Sequence, residues 1–383
     1  MRNIHPIRRR SAVAVALQCS TRQRALALAL FTIPAIALLV GAAVQARAET
    51  ATAGVVYTAD EHGNSVSRID LASAKVDTFP VGATPHNVQF VSGKNMVLAV
   101  GTPMRAEADH GHAEAEDTHG TDSHGGGGHG DAEAGGVLIV MEAGRIAAGP
   151  VASVEVNSHP AHVIADPAGE RAFVTNSGDD TVSVVDLARG EVIKEIATGE
   201  YPHGLRMSPD GGTIYVANVE GGTISVIDAA SLEEIDRIEV GETPVQVGFT
   251  PDGKQVYVSL RDENKVAVID TATRQVTARI VVGSSPIQVH ATPDGRFVYV
   301  ANQGREAEPD ETVSVIDVVG GAVMKTIRTG KGAHGVTVSD DGLYVFVTNI
   351  LDGTVSEISV ATQSVVRTHA VGTGPNGITF QAQ

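Results

Sequence analysis

A short Gly-x-x-Pro signature returns along this chain and constrains its fold more than any other feature. Five copies are complete, and two variants stand in equivalent places. The seven signatures end at Pro85, Pro160, Pro202, Pro244, Pro286, Ala333 and Pro375. Their spacings are 75, 42, 42, 42, 47 and 42 residues, so a 42-residue unit repeats seven times with insertions of 33 and 5 residues. A fixed period of this length is typical of propellers and other repeat architectures.

Each unit alternates between apolar and polar residues between turn signals, and this pattern predicts four short strands. Strand A follows the proline and ends in a turn such as Ser208–Gly211, which reads Ser-Pro-Asp-Gly. Proline presets φ and glycine accepts positive φ, so a tight corner is expected there. Strand B is typified by Tyr215–Asn218, strand C by Thr223–Asp228, and strand D by the weaker run Glu234–Val240.

The strand B tetrapeptides, together with the Val-Ile-Asp strand that follows them, carry a family resemblance. These tetrapeptides are Phe173–Asn176, Tyr215–Asn218, Tyr299–Asn302 and Phe346–Asn349. Residues 54–380 therefore resemble the YVTN-type β-propeller repeat, which is itself similar to the cytochrome d1-like haem-domain propellers. The resemblance implies an all-β chain folded as a seven-bladed β-propeller of four-stranded blades. We expect the asparagines that end strand B to be turn residues that cap their own backbone.

The two ends of the repeat region predict how the ring closes. The repeats begin with strands B, C and D, from Val55 to Val81, and end with a lone strand A, Asn376–Phe380. We expect the last strand to complete the first blade, because a propeller without disulfides must protect its sheet edges. Residues 49–383 would then form one seven-bladed domain.

Residues 1–48 have the features of a cleaved signal peptide. A basic leader rich in arginine precedes the apolar residues 25–44, and Ala46–Ala48 offers a small-x-small cleavage site. We expect a periplasmic or secreted protein without a membrane span after cleavage; an uncleaved anchor is the alternative, because about 20 apolar residues can cross a bilayer. Cys19 would leave with the leader, which excludes disulfides, thiolate metal sites and covalently attached haem from the mature chain.

The charge balance argues against nucleic acid as a partner. The whole chain carries a formal charge of −17, and loss of the leader's seven arginines leaves 21 basic against 45 acidic residues, or −24. Such a surface repels phosphate, and without tryptophan little is left for stacking on bases. We expect a monomer whose partners are a divalent metal ion and, as a further hypothesis, a periplasmic metal-binding protein.

Histidines gather where strand A begins. In a propeller this position lies at one mouth of the central channel, so the first two residues after each signature share a rim. The histidines at these places are His86, His162, His203 and His334. They belong to blades that, with the blade of Asn376, follow one another around the ring. Neutral imidazoles in sets of three or four are ligands of Zn²⁺, and we take these four as candidate ligands.

The 33-residue insertion is a second histidine-rich feature. It covers about residues 104–136, lies between strands B and C of the His86 blade, and is rich in glycine and carboxylates, so we expect a flexible loop. Its candidate ligands are His110, His112, His119, His124 and His129. Imidazole and carboxylate together suit Zn²⁺, with Cu²⁺ and Ni²⁺ as alternatives. A loop between strands B and C overhangs the same face as the four rim histidines.

These features favour a non-enzymatic, exported propeller that binds a transition metal, zinc first, and serves as a metal chaperone. One alternative is a protein-interaction or surface propeller without metal, which the regular repeats favour. Another is a channel-site enzyme, either haem-binding or lactonase-like, because the resemblance extends to such propellers. The sequence holds no Gly-x-Ser-x-Gly, His-Glu-x-x-His or phosphate-loop motif.

Overall fold

The computed structural model describes residues 53–104 and 135–383. The predicted leader and its cleavage site lie outside these residues. So do His110, His112, His119, His124 and His129 of the insertion. Within the described residues, no helix is both long enough and apolar enough to span a membrane.

The described residues form 28 strands in seven four-stranded antiparallel sheets. The first blade contains β1 (Val55–Asp60), β2 (Ser65–Asp70), β3 (Lys75–Pro80) and the C-terminal β28 (Pro375–Gln381). The second contains β4 (Ala83–Val91), β5 (Met96–Pro103), β6 (Gly135–Glu142) and β7 (Ala152–Ser158). The third contains β8 (Pro160–Ala165), β9 (Arg171–Asn176), β10 (Thr181–Asp186) and β11 (Glu191–Ala197).

The remaining four blades follow the same order from strand A to strand D. The fourth contains β12 (Pro202–Met207), β13 (Thr213–Asn218), β14 (Thr223–Asp228) and β15 (Glu233–Glu239). The fifth contains β16 (Pro244–Phe249), β17 (Gln255–Leu260), β18 (Lys265–Asp270) and β19 (Gln275–Val281). The sixth contains β20 (Pro286–Ala291), β21 (Phe297–Arg305), β22 (Glu308–Asp317) and β23 (Ala322–Arg328). The seventh contains β24 (Ala333–Val338), β25 (Tyr344–Asn349), β26 (Thr354–Ser359) and β27 (Ser364–Ala370).

Three short 3-10 turns, Glu61–Gly63, Ser92–Lys94 and Ala143–Ala148, interrupt the strands. The first of them connects β1 to β2 and lies at the channel mouth. Both insertions fall between strands B and C: the long one follows β5, and the short one lengthens the β21–β22 hairpin, where Arg305 pairs with Glu308. The predicted seven-bladed fold and its four-stranded units are confirmed.

The last strand closes the ring. In the antiparallel pair of β28 with β1, Phe380 lies opposite Val56 and Ile378 opposite Thr58. The N-terminal and C-terminal segments therefore share one sheet, and the first blade is complete only when both are present. The predicted closure is confirmed, and it gives β1 a partner on each side, with β28 as the inner strand of the blade.

The apolar core lies between neighbouring blades. Val216 and Val258 on the second strands of two adjacent blades are fully buried, whereas β15 on the outer edge alternates exposed and partly buried residues. This division arises because strands A to C are covered by blades on both faces, while strand D borders solvent. The core therefore fixes the inner strands most firmly, and these are the strands that carry the rim histidines.

The asparagines that end strand B have a different partner from the one expected. Asn176 Nδ2 donates to Thr181 Oγ1 (3.1 Å) and Ser183 Oγ (2.8 Å), and Asn218 repeats this pattern with Thr223 and Ser225. The side chains therefore tie strand B to strand C and do not cap their own backbone. The prediction of self-capping was wrong, because the side-chain amide donates its hydrogen bonds to hydroxyl groups on the neighbouring strand.

Candidate metal centre

Three of the rim histidines meet in the channel. His86 on β4, His162 on β8 and His203 on β12 come from three consecutive blades, and one ligand nitrogen from each lies within 4.8 Å of the others. His162 and His203 are buried, and His86 is partly exposed at the mouth. Strand A of every blade borders the channel, so residues far apart in the sequence come together there.

His86 and His203 have the separation that two ligands of one zinc ion require. Their Nε2 atoms lie 3.2 Å apart. Two nitrogens at the usual Zn–N distance on a tetrahedral ion are separated by about 3.3 Å. The rings also meet nearly edge-on, with an interplanar angle of 87°. The pair is therefore arranged for a shared ion without rearrangement of the backbone.

The outer nitrogens of this pair are held by acceptors. His86 Nδ1 lies 3.1 Å from Glu61 Oε1, and His203 Nδ1 lies 3.2 Å from the carbonyl oxygen of Val245. A carboxylate and a carbonyl can only accept, so each Nδ1 carries a proton, and in the neutral form of each imidazole the lone pair is then on Nε2. Two lone pairs 3.2 Å apart repel each other unless a proton or a metal ion lies between them.

His162 is the most deeply buried of the three. Its Nδ1 lies 3.3 Å from Gln246 Nε2, and within the described residues its Nε2 has no hydrogen-bond partner. Burial first, then His203, His86 and Arg206, lower the pKa of His162 well below its usual value. It is therefore neutral, which is the form that binds a metal. A buried imidazole nitrogen without a partner is destabilising, and an ion would satisfy it.

Glu61 is the residue that sequence reasoning missed. It lies in the turn between β1 and β2, where Oε1 contacts His86 and Oε2 accepts a 2.6 Å hydrogen bond from Asn376 Nδ2. Asn376 Nδ2 is also 3.1 Å from His86 Nδ1, so the carboxylate, the amide and the imidazole are in mutual contact. Burial would raise the pKa of Glu61, but His86, Asn376 and His334 outweigh it and lower the pKa to about 2. The available signal was a lone acid in a B-to-C turn next to a rim histidine.

The other candidate residues do not join this cluster. His334 on β24 is buried, and its charge would lower the pKa values of Glu61 and His162, but it is outside the group of three ligand atoms. The five histidines of the insertion lie outside the described residues. Two further histidines have identified neighbours. The positive charge of Arg206 acts on His290, and His369 pairs with Glu357.

These observations define the class of protein: a seven-bladed propeller with three histidines that could hold a metal at one mouth of its channel. Residues 143–257 and 235–382 match the family described as YNCE-like beta-propeller. The chain belongs to this family, in agreement with the resemblance seen in its repeats. No curated protein matches the chain.

Two solved structures illustrate the similarity of fold. Hydrazine synthase of Kuenenia stuttgartiensis is 22% identical with a TM-score of 0.61, and the match covers 76% of this chain and 88% of that chain. A functionally unknown protein from Desulfotomaculum acetoxidans DSM 771 is 16% identical with a TM-score of 0.66, covering 86% and 99%. At these identities the likeness concerns the fold alone.

Proposed function

We propose that this protein is an exported, non-enzymatic propeller that binds a transition metal, zinc first, at His86, His162 and His203. The observation that carries the proposal is the 3.2 Å separation of the His86 and His203 Nε2 atoms, each held by an acceptor at Nδ1. Imidazole ligands anchored through their second nitrogen are typical of zinc sites. Cu²⁺ and Ni²⁺ also accept imidazole and are the competing ions.

In this proposal the insertion collects the metal and the triad stores it. The five histidines from His110 to His129, interspersed with carboxylates, supply weak ligands at high local density. The triad is the better organised site, because packed strands fix its side chains. A protein that takes metal from the environment and passes it to a periplasmic binding protein needs both properties, and this is the chaperone role we propose.

Metal analysis of protein purified without an affinity tag tests the site. The intact chain should bind Zn²⁺ at micromolar levels, deletion of residues 107–133 should lower the stoichiometry, and the triad site should persist in the deletion variant. Adding His86→Ala and His203→Ala to that deletion should abolish the remaining equivalent. Full binding by the last variant would place the metal elsewhere.

A second candidate function, protein docking without metal, is favoured by a separate cleft. This cleft has a volume of about 950 Å³ and lies between the fourth and fifth blades, lined by Glu220, Glu239, Glu242, Asp262 and Glu263 around Arg261. Its acidic wall suits a basic protein surface. A partner captured equally well with and without a chelator would support docking over metal transfer.

A further inference from the structure

A small cavity adjoins two of the three histidines, His86 and His203. It has a volume of about 160 Å³, and Glu61, Thr84, Thr102 and Tyr201 also line it. This space equals that of about five water molecules. His86, which borders the cavity, is partly exposed.

The described residues supply three ligand atoms, one fewer than a tetrahedral ion takes. Glu61 is the nearest carboxylate, but its two oxygens are engaged by His86 Nδ1 and Asn376 Nδ2. Moving it onto the metal would break both contacts and release the proton-bearing nitrogen of His86. The fourth position is therefore left to a molecule in the cavity, and a site of this kind is open, as catalytic zinc sites are.

The charges around the cluster favour an anion at that position. Three neutral histidines leave the two positive charges of the metal intact, and Glu61 offsets one of them. Arg206 on β12 adds a positive charge that acts on His162, and its Nη1 donates to the carbonyl oxygen of Leu205. A monoanion would bring the centre closer to neutrality, and burial makes that attraction strong.

We propose that a metal ion held by His86, His162 and His203 keeps an exchangeable fourth position that opens into this cavity and takes a small monoanion of the size of azide or acetate. The inference rests on the proposed metal site and adds to it the class of the fourth ligand. Binding is a ligand exchange in which the anion enters as a water leaves, with no change in oxidation state.

Cobalt(II) in the full-length protein provides the test, because its visible absorption reports changes in coordination. The five histidines of the insertion are replaced by alanine so that one equivalent of Co²⁺ reports the triad alone. Azide and acetate are then titrated into this protein and into its Thr102→Tyr variant, in which a larger side chain fills part of the cavity. Thr362→Tyr, at an exposed threonine in a turn of the seventh blade, is the matched control.

We expect both anions to change the cobalt spectrum saturably, and Thr102→Tyr to weaken their binding about tenfold or more while Thr362→Tyr leaves it unchanged. A spectrum that neither anion alters, in protein holding one equivalent of cobalt, overturns the open position but leaves the metal site intact. Anion binding unaffected by Thr102→Tyr removes the cavity from the proposal. Failure to bind cobalt at all overturns the metal site and this inference with it.

Discussion

Glu61 in the first blade accepts a 2.6 Å hydrogen bond from Asn376 on the closing strand, and its other oxygen contacts His86 in the second blade. One carboxylate thus connects the strand that closes the ring with a candidate metal ligand. Closure of the propeller and the geometry of the metal centre are therefore coupled. The first two predictions follow from this contact.

Glu61→Gln should weaken zinc binding about 10- to 100-fold, because an amide no longer fixes the Nδ1 proton of His86 as a carboxylate does. Thermal stability of the metal-free protein should also fall at neutral pH, because the lowered pKa of Glu61 means that its charged form stabilises the folded state. Competition titration with a chromophoric zinc chelator measures the affinity, and Glu220→Gln, in an exposed turn of the fourth blade, is the control. Equal losses in both variants would contradict a specific role for Glu61.

Removing Pro375–Gln383 should lower the melting temperature on the order of 10 °C or more, because β1 keeps β2 but loses its partner on the other side, and the first blade opens. The same truncation removes Asn376 and should weaken zinc binding. Calorimetry and metal titration on one preparation measure both effects. An unchanged melting curve would refute closure by β28.

Gln246→Glu should tighten zinc binding about tenfold. The present amide offers Nε2 to His162 Nδ1, which favours a proton on Nε2, the nitrogen without a partner. A carboxylate would accept from Nδ1 and free Nε2 for the metal, as outer carboxylates do in zinc proteins. Gln288→Glu is the matched control, since Gln288 is equally buried but accepts from the backbone of Val336. Weaker binding in Gln246→Glu would indicate that His162 binds through Nδ1.

Asp60→Asn should stabilise the metal-free protein at neutral pH. Burial raises the pKa of Asp60 to about 6, against hydrogen bonds from Ser67, Thr58 and Ser65 that lower it. The unfolded chain loses this proton near pH 4, so the folded state loses stability as pH rises from about 4 to about 6. The free energy of unfolding falls by about 3 kcal/mol over this range. Other blades carry asparagine at this position, and an uncharged asparagine avoids the loss.

Urea unfolding at pH 4 and pH 7.5, with a chelator present, measures this effect. The two proteins should be close in stability at the lower pH and separate at the higher one. Asp210→Asn is a useful contrast, because hydrogen bonds from Ser208 and Gly212 lower the pKa of the exposed Asp210. That variant should show no gain at pH 7.5, and a gain as large as that of Asp60→Asn would refute the assignment.

His369→Ile should destabilise the protein about 3 kcal/mol, and adding Glu357→Val should recover most of the loss. The two residues form a buried pair in the seventh blade, with His369 Nε2 3.2 Å from Glu357 Oε2. Other blades have aliphatic residues at these positions, such as Val226 and Ile238. Removing His369 takes a hydrogen bond from a buried carboxylate that keeps Arg367 3.8 Å away, whereas replacing both residues restores an apolar contact. A double variant no more stable than the single one would contradict this account.

The repeat made the fold predictable. The period of 42 residues, the Pro-Asp-Gly corners and the unpaired strand A near Asn376 were enough to specify seven blades and their closure. These signals are local in sequence, and a propeller is built from contacts between neighbouring units. Even the second blade, which has Val97–Val100 in place of the usual tetrapeptide, folds in the same way, because these four residues are apolar and are buried in its second strand.

The candidate site was only partly predictable. The sequence placed four histidines near one mouth of the channel, because equivalent positions of the blades lie at the same depth along the channel. These are His86, His162, His203 and His334. It did not separate His334 from the other three, and it did not find Glu61. Those outcomes depend on rotamers and on contacts between turns and strands of different blades, which the repeat does not encode.

The sequence by itself determined the number of blades, their strands and the end of the channel at which the histidines lie. These features follow from the hydrophobic pattern and the turn residues, which are local in the sequence. Tertiary structure decided which nitrogens face each other. The 3.2 Å between His86 and His203, the carboxylate behind His86 and the cavity beside them arise when strand A of three blades converges on the channel. Close packing of those blades fixes the distances between the histidine nitrogens, and these distances determine whether the nitrogens can share one metal ion.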